Sequence, residues 1–270
     1  MSANPGRPLA LVTGASAGLG EAFARAYAAR GCDVALVARR VPRLEALAAE
    51  LTARSGVDSI VIAADLAGYE AHIAVMTAIE AQGRTVDVLV NNAGFGIPQS
   101  FAAVPWSRQR DFLMTMAVNA CGLAHDVIPG MVERGRGAII NVASMAAFSP
   151  GVAGNSLYPG VKSLAVKFSQ SLDAEYRTAG LKVTAVCPGF VRTEFSAAAG
   201  VDHIMRNEPA FLWQTAPEVA EATIRANERG KVVFIPGWTN RLAAMLLRGL
   251  PEPLVRRIIA ANAAKYHLDG

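Results

Sequence analysis

Cysteine is scarce, with only Cys32, Cys121 and Cys187 in 270 residues and no Cys-x-x-Cys pair. A set so small, odd in number and widely spaced excludes a disulfide-stapled scaffold. It suits a reducing compartment, with the thiols read as buried structural groups. Histidine is nearly as sparse: His72, His125, His203 and His267 lie far apart. None shares the short spacing that sets two ligands on one helix face, so no metal is expected. Charge is low, at 18% of residues against a typical value of about 25%. No apolar run reaches the ~18 residues that a membrane span requires. The first ten residues hold no long apolar segment of the secretory-signal kind. Cytoplasm is therefore the expected location. Linkers rich in Pro, Gly or Ser, charge runs and repeats are also missing, so one domain over 1–270 is expected.

What remains is an apolar chain, 52% hydrophobic, able to bury a large core. Its net charge of +4 is unevenly placed. Residues 1–230 carry 20 basic and 20 acidic side chains, whereas 231–270 carry six and two. A neutral body without a recognition motif argues against nucleic-acid binding. The basic pI near 9.1 belongs to the C-terminus.

Short apolar runs at 9–12, 33–38, 59–63, 86–90, 138–142, 182–186 and 232–235 read as strands. They are nearly continuous rather than alternating, as in strands covered on both faces of a parallel sheet. Helical patterns near 19–30, 42–54, 69–82, 106–134, 157–179 and 217–229 separate them. Regular alternation predicts an α/β fold of the doubly wound, Rossmann-like type, about seven strands with helices on both faces.

Thr13-Gly-Ala-Ser-Ala-Gly-Leu-Gly20 lies between the first strand and the first helix. Gly14 permits a sharp turn, Gly18 lets backbone approach a pyrophosphate, and Gly20 lets helix pack closely on strand. The helix N-terminus, with Ser16 and Leu19 alongside, favours phosphate. Asn91-Asn-Ala93-Gly94 follows the fourth strand. With these motifs in order, residues 8–194 resemble the short-chain dehydrogenase/reductase family. That resemblance implies that Asn91, Ala93 and Gly94 steady the sheet and line the nicotinamide ribose side of a cleft.

After the second strand stands Ala38-Arg39-Arg40, where an NAD enzyme would place an acid on the ribose. Arg39 can give a 2′-phosphate charge-assisted hydrogen bonds, so NADP(H) is the expected cofactor, with Arg40 read as a bystander. The resemblance assigns Asp65 to the adenine, with Leu66 beside it. It places Pro188, Gly189, Val191 and Thr193 at the nicotinamide.

Tyr158 and Lys162 are four residues apart, hence on one helix face. A nearby ammonium favours phenolate and should bring the phenol toward the useful range. The resemblance makes Tyr158 the acid/base and has Lys162 also hold the ribose. It has Ser144 bond the reacting oxygen and Asn119 support a relay water. The implied activity is hydride transfer between a carbonyl and a secondary alcohol. The rivals are a non-catalytic NADP(H) sensor or scaffold, and an epimerase or dehydratase.

The pattern departs from the family in places. Ser144 precedes Tyr158 by 14 residues, one more than is commonest, which suggests a small insertion within 149–156. Pro159 is tolerable if Ser156 caps the helix. Val161 replaces the usual Ser or Thr.

The resemblance makes residues 190–215 a substrate lid, whose Phe195, Met205, Phe211, Leu212 and Trp213 suggest an apolar or amphipathic substrate; packing of a dimer or the core is the other reading. Residues 238–270 read as a C-terminal helical extension of two short helices broken by Pro251 and Pro253. They carry Leu242, Met245, Leu246 and Leu250, then Leu254, Val255, Ile258 and Ile259, among basic residues. Packing on the core or a subunit competes there with peripheral attachment to anionic lipid. A homodimer or homotetramer is expected.

Overall fold

The computed structural model describes residues 6–151, 154, 156–195, 209–251, 253–255 and 257. The predicted insertion falls partly outside these residues, as do the middle of the predicted lid and the end of the C-terminal extension. Each predicted strand is present: β1 (Leu9–Thr13), β2 (Asp33–Ala38), β3 (Ser59–Ala63), β4 (Val88–Asn91), β5 (Gly137–Val142) and β6 (Leu181–Val186). A short pair, β7 (Phe190–Arg192) and β8 (Trp213–Thr215), precedes the last strand of the main sheet, β9 (Val233–Phe234). The main sheet is wholly parallel, in the order β3-β2-β1-β4-β5-β6-β9. The chain runs outward from β1 in one direction, then returns and builds outward in the other. That reversal opens a crevice beyond the carboxyl ends of β1 and β4.

Helices α1 (Gly18–Ala28), α2 (Val41–Ser55) and α7 (Ala216–Glu228) cover one face. Phe23, Leu44, Leu47, Val219 and Ile224 pack there on Val12, Leu36 and Val90. Helices α3 (Ala71–Glu80), α5 (Asn119–Glu133) and α6 (Tyr158–Tyr176) cover the other. Val75, Ile79, Leu123, Met131 and Leu172 meet Leu11, Leu89 and Ile139 there. Each fully buried Leu, Ile or Phe contributes about 1.5–3 kcal/mol. The sheet is thus buried on both faces, as its continuous apolar strands require.

The predicted helix 106–134 is α4 (Trp106–Leu113), a π turn (Met114–Val118) and α5 in series. This run is long and apolar enough to cross a membrane, yet Leu123, Ala124, Val127, Ile128 and Met131 are buried in the second layer. The opposite end of the sheet is pinned by a buried ion pair, Arg84 to Asp33 at 2.9 Å. Arg84 also donates to the Arg7 carbonyl, and Asp33 accepts from the Asp58 amide. Thr215 and Glu218 form a reciprocal capping box that starts α7.

Helix α8 (Trp238–Gly249) follows β9. Its Asn240 donates to Gln214 Oε1 at 3.1 Å and to the Pro236 carbonyl at 2.9 Å, which ties it to β8.

Candidate active site

The glycine turn is built on steric necessity. Gly14 and Gly18 have φ of +66° and +59°, open to glycine and strained for other residues. A Cβ on Gly20 would stand 2.3 Å from the Gly14 carbonyl oxygen and 2.5 Å from Asn92 Nδ2. A Cβ on Gly18 would meet Thr193 at 3.0 Å, so Thr193 closes over the turn from β7. Ala17 precedes α1 without a capping side chain, which leaves the first-turn amides for an anion.

The Asn91–Gly94 segment is tied to both flanking strands. Asn91 Nδ2 donates to the Ala120 carbonyl and to Asn141 Oδ1, each at 2.9 Å. Thr13 Oγ1 accepts from the Asn92 and Ala93 amides and donates to the Val90 carbonyl. These bonds hold β1, β4 and β5 in register where the crevice opens. Gly94 lies against Met116, whose side chain would be 3.1 Å from an added Cβ.

At the end of β2, Arg39 faces Asp65 across 3.6 Å. Arg40, read from the sequence as a bystander, instead reaches the glycine turn. Its Nε and Nη2 donate to Ser16 Oγ at 3.1 and 3.0 Å. Its Nη1 donates to Glu194, which also binds Arg43 of α2. The arginines hold the Glu194 carboxyl below its ordinary value, Arg43 most strongly. Sequence reasoning missed Arg43 and Glu194. Only the placing of Arg43 one helical turn beyond Arg39 and Arg40 hinted at the first.

Across the crevice, Tyr158 opens α6. The preceding Leu157, not Ser156, is the cap residue, and it offers no side-chain bond; Pro159 falls in the first turn, where its missing N–H costs little. Lys162 Nζ lies 5.5 Å from the Tyr158 ring centroid and donates to the Val142 carbonyl at 2.7 Å. Ser144 follows β5; its hydroxyl accepts from the Ala146 amide, and its side chain stands close enough to Tyr158 to act on the phenol. Serine and lysine thus flank the Tyr158 ring.

Burial pushes the Tyr158 phenol above its ordinary value, and the Ser144 side chain pulls it partly back. The expected lowering by Lys162 does not appear. Burial brings Lys162 down to about 8, so it has lost its proton before the phenol titrates.

Asn119 directly follows the π turn, a feature common at functional sites. It is fully buried, with Nδ2 donating to the Leu66 and Gly68 carbonyls and Oδ1 accepting from the His72 amide. Both amide hydrogens are thus committed to the segment after β3. That segment is braced further by His72, whose ring bonds Asp126 at 2.7 Å.

Pro188 accepts from the Met145 amide, and Gly189 packs on Asn240, which leaves no room for a Cβ there. Val191 pairs with Gln214 between β7 and β8. An aromatic wall rises at the mouth: Phe95 meets Phe112 edge-on at 5.6 Å, and Phe112 and Phe195 flank Tyr158 at 6.5 and 6.2 Å.

A short-chain dehydrogenase family model matches residues 8–203. The chain belongs to the short-chain dehydrogenase family of oxidoreductases. An uncharacterized oxidoreductase of Myxococcus xanthus is 33% identical over 91% of this chain and 93% of its own length. A very-long-chain 3-oxoacyl-CoA reductase of Anas platyrhynchos is 36% identical over 69% of this chain and 61% of its own. A solved short-chain dehydrogenase from Sphingobium yanoikuyae, in complex with NADPH, superposes with a TM-score of 0.79 at 33% identity. That match covers 88% of this short-chain dehydrogenase and 91% of the other.

Proposed function

We propose that this short-chain dehydrogenase interconverts a carbonyl compound and a secondary alcohol with NADP(H). The observation that carries the reading is Lys162 Nζ 5.5 Å from the Tyr158 ring, with Ser144 on the phenol's other flank. Tyr158 protonates the carbonyl oxygen in reduction and takes that proton back in oxidation. Ser144, beside the phenol, orients this oxygen. Lys162 holds the ribose side and supplies positive charge below pH 8, the value to which burial brings it. When bound, the nicotinamide supplies or accepts the hydride.

The cradle fits a dinucleotide: an added Cβ would block Gly14, Gly18 or Gly20, and the α1 amides lack a side-chain cap. Ser16, Arg39 and Arg40 would hold the ribose phosphate, and Asp65 and Leu66 the adenine. Asn91, Ala93 and Gly94 would border the nicotinamide ribose, opposite Pro188, Gly189, Val191 and Thr193. NADPH and NADP are named with several solved relatives, which supports the same cofactor here. The aromatic wall and Phe195 favour an apolar or amphipathic substrate, with 190–215 acting as its lid.

NADPH oxidation measured against a panel of ketones, aldehydes and quinones tests the reading. Tyr158→Phe should bind NADPH normally while turnover on the best substrate falls by roughly 10² or more. Near-normal turnover in that variant would falsify the assignment of the acid/base.

A further inference from the structure

Helix α8 presents an exposed apolar stripe. Asn240 and Ala244 are buried toward the body of the protein. On the other side, Trp238, Leu242, Met245 and Leu246 follow the i, i+4, i+7, i+8 rule of one helix face. All four are exposed, Trp238 to 71% and Met245 to 63%. Leu250 and Leu254 continue the exposed set beyond the helix, and Phe211, three residues before the Gln214 that bonds α8, adds another ring at 71%. Scattered surface leucines are ordinary, but a run that includes tryptophan along one helix marks an interaction surface.

Charge decides between occupants. Residues 231–270 hold six basic and two acidic side chains, while the preceding 230 are balanced. Arg241 is exposed within the apolar set, and Arg257 is exposed beyond it. A second copy docked through a two-fold axis would bring Arg241 and Arg257 toward their own copies. A negatively charged bilayer attracts it instead, and accepts indole and methionine at the headgroup boundary.

We infer that α8 and the exposed residues after it form a peripheral docking surface for anionic lipid. The surface adjoins the cleft, because Asn240 packs on Gly189 and bonds Gln214. Twelve residues do not cross a bilayer; the helix lies in the interface plane.

The full chain is sedimented with phosphatidylcholine vesicles and with vesicles of phosphatidylcholine and phosphatidylglycerol, at low and high salt. Binding is expected to the anionic vesicles only, and to weaken at high salt. Arg241→Glu should weaken it about tenfold, and Met245→Glu with Leu246→Glu should abolish it. Sedimentation velocity and thermal melting of each variant report assembly and folding. Equal binding to both vesicle types, or binding that survives both sets of changes in folded protein, overturns the proposal. So does an unmodified chain that ignores vesicles while Met245→Glu with Leu246→Glu converts an oligomer to folded monomers. That result would make the stripe a contact between copies.

Discussion

Glu194 grips Arg43 with both carboxylate oxygens, which lie 2.7 and 2.8 Å from one guanidinium nitrogen. It touches Arg40 as well, at 3.0 Å, so a carboxylate from beyond β7 already occupies the arginines beside the phosphate turn. Any incoming ribose phosphate must share or take those partners. Exposed pairs of this kind are worth about 0–1 kcal/mol each. Glu194→Gln should therefore tighten NADPH binding by about two- to fivefold, with NADH unchanged. Fluorescence titration of both nucleotides checks it. Weaker NADPH binding would mean that Glu194 organises the arginines rather than competing for them.

The two arginines after β2 should divide the work. Arg39→Ala is expected to weaken NADPH by about 1.5–3 kcal/mol, the size of one charged hydrogen bond, with little effect on NADH. Arg40→Ala should act in the same direction, because it loses Ser16 and frees Glu194 together. Placing Asp at Ala38 should turn preference toward NADH. Tighter binding of NADH than of NADPH by the unmodified protein would rule out this division.

Lys162 carries a stability cost. Its ammonium is buried, and its folded value of about 8 lies below its ordinary 10.5. Charging it is thus penalised in the folded chain and not in the unfolded one. The penalty is complete below pH 8 and fades as pH rises toward the unfolded value. Lys162→Met should therefore stabilise the cofactor-free protein at pH 7, on the order of 1–3 kcal/mol, while abolishing turnover. The difference should shrink by pH 10. Urea unfolding of both proteins at the two pH values reads it directly, and a gap independent of pH would remove the explanation.

Gly20→Ala tests the cradle by volume alone. The new methyl would meet the Gly14 carbonyl oxygen and Asn92 Nδ2, both held by neighbouring backbone. Overpacking of this kind costs about 1–3 kcal/mol, and here it also spreads the turn. Expected results are a lower melting temperature and loss of NADPH binding. Gly160→Ala, which meets nothing within 4 Å, serves as the control for an added methyl.

The parallel sheet was legible because strands such as Val34–Val37 and Val88–Val90 are apolar at every position, whichever face they present. The glycine turn was legible because its steric demands are local. Arg40, Arg43 and Glu194 were not, since Glu194 pairs with arginines about 150 residues away and surface ion pairs leave no period. The π turn before Asn119 escaped notice because it rearranges backbone hydrogen bonds within a run that still reads as one helix. The direction of the Tyr158 shift was missed for another reason. A four-residue spacing tells which groups are neighbours, whereas burial depends on what the rest of the chain stacks above them.

The small ladder between β7 and β8 brings Phe190 beside Trp213 and Arg192 beside Thr215. A chain that leaves and returns through one doorway can be rewritten in between with little charge to the frame. Doubling the length of such an excursion adds only about 0.6 kcal/mol of closure entropy. Thr193 at the glycine turn and Phe195 at Tyr158 tie its start to the site. With Thr193, Glu194 and Phe195 kept for their contacts to the glycine turn, the arginines and Tyr158, a graft confined to 196–209 from a relative is expected to exchange substrate preference if that segment is the lid proposed above, and to leave the chemistry in place.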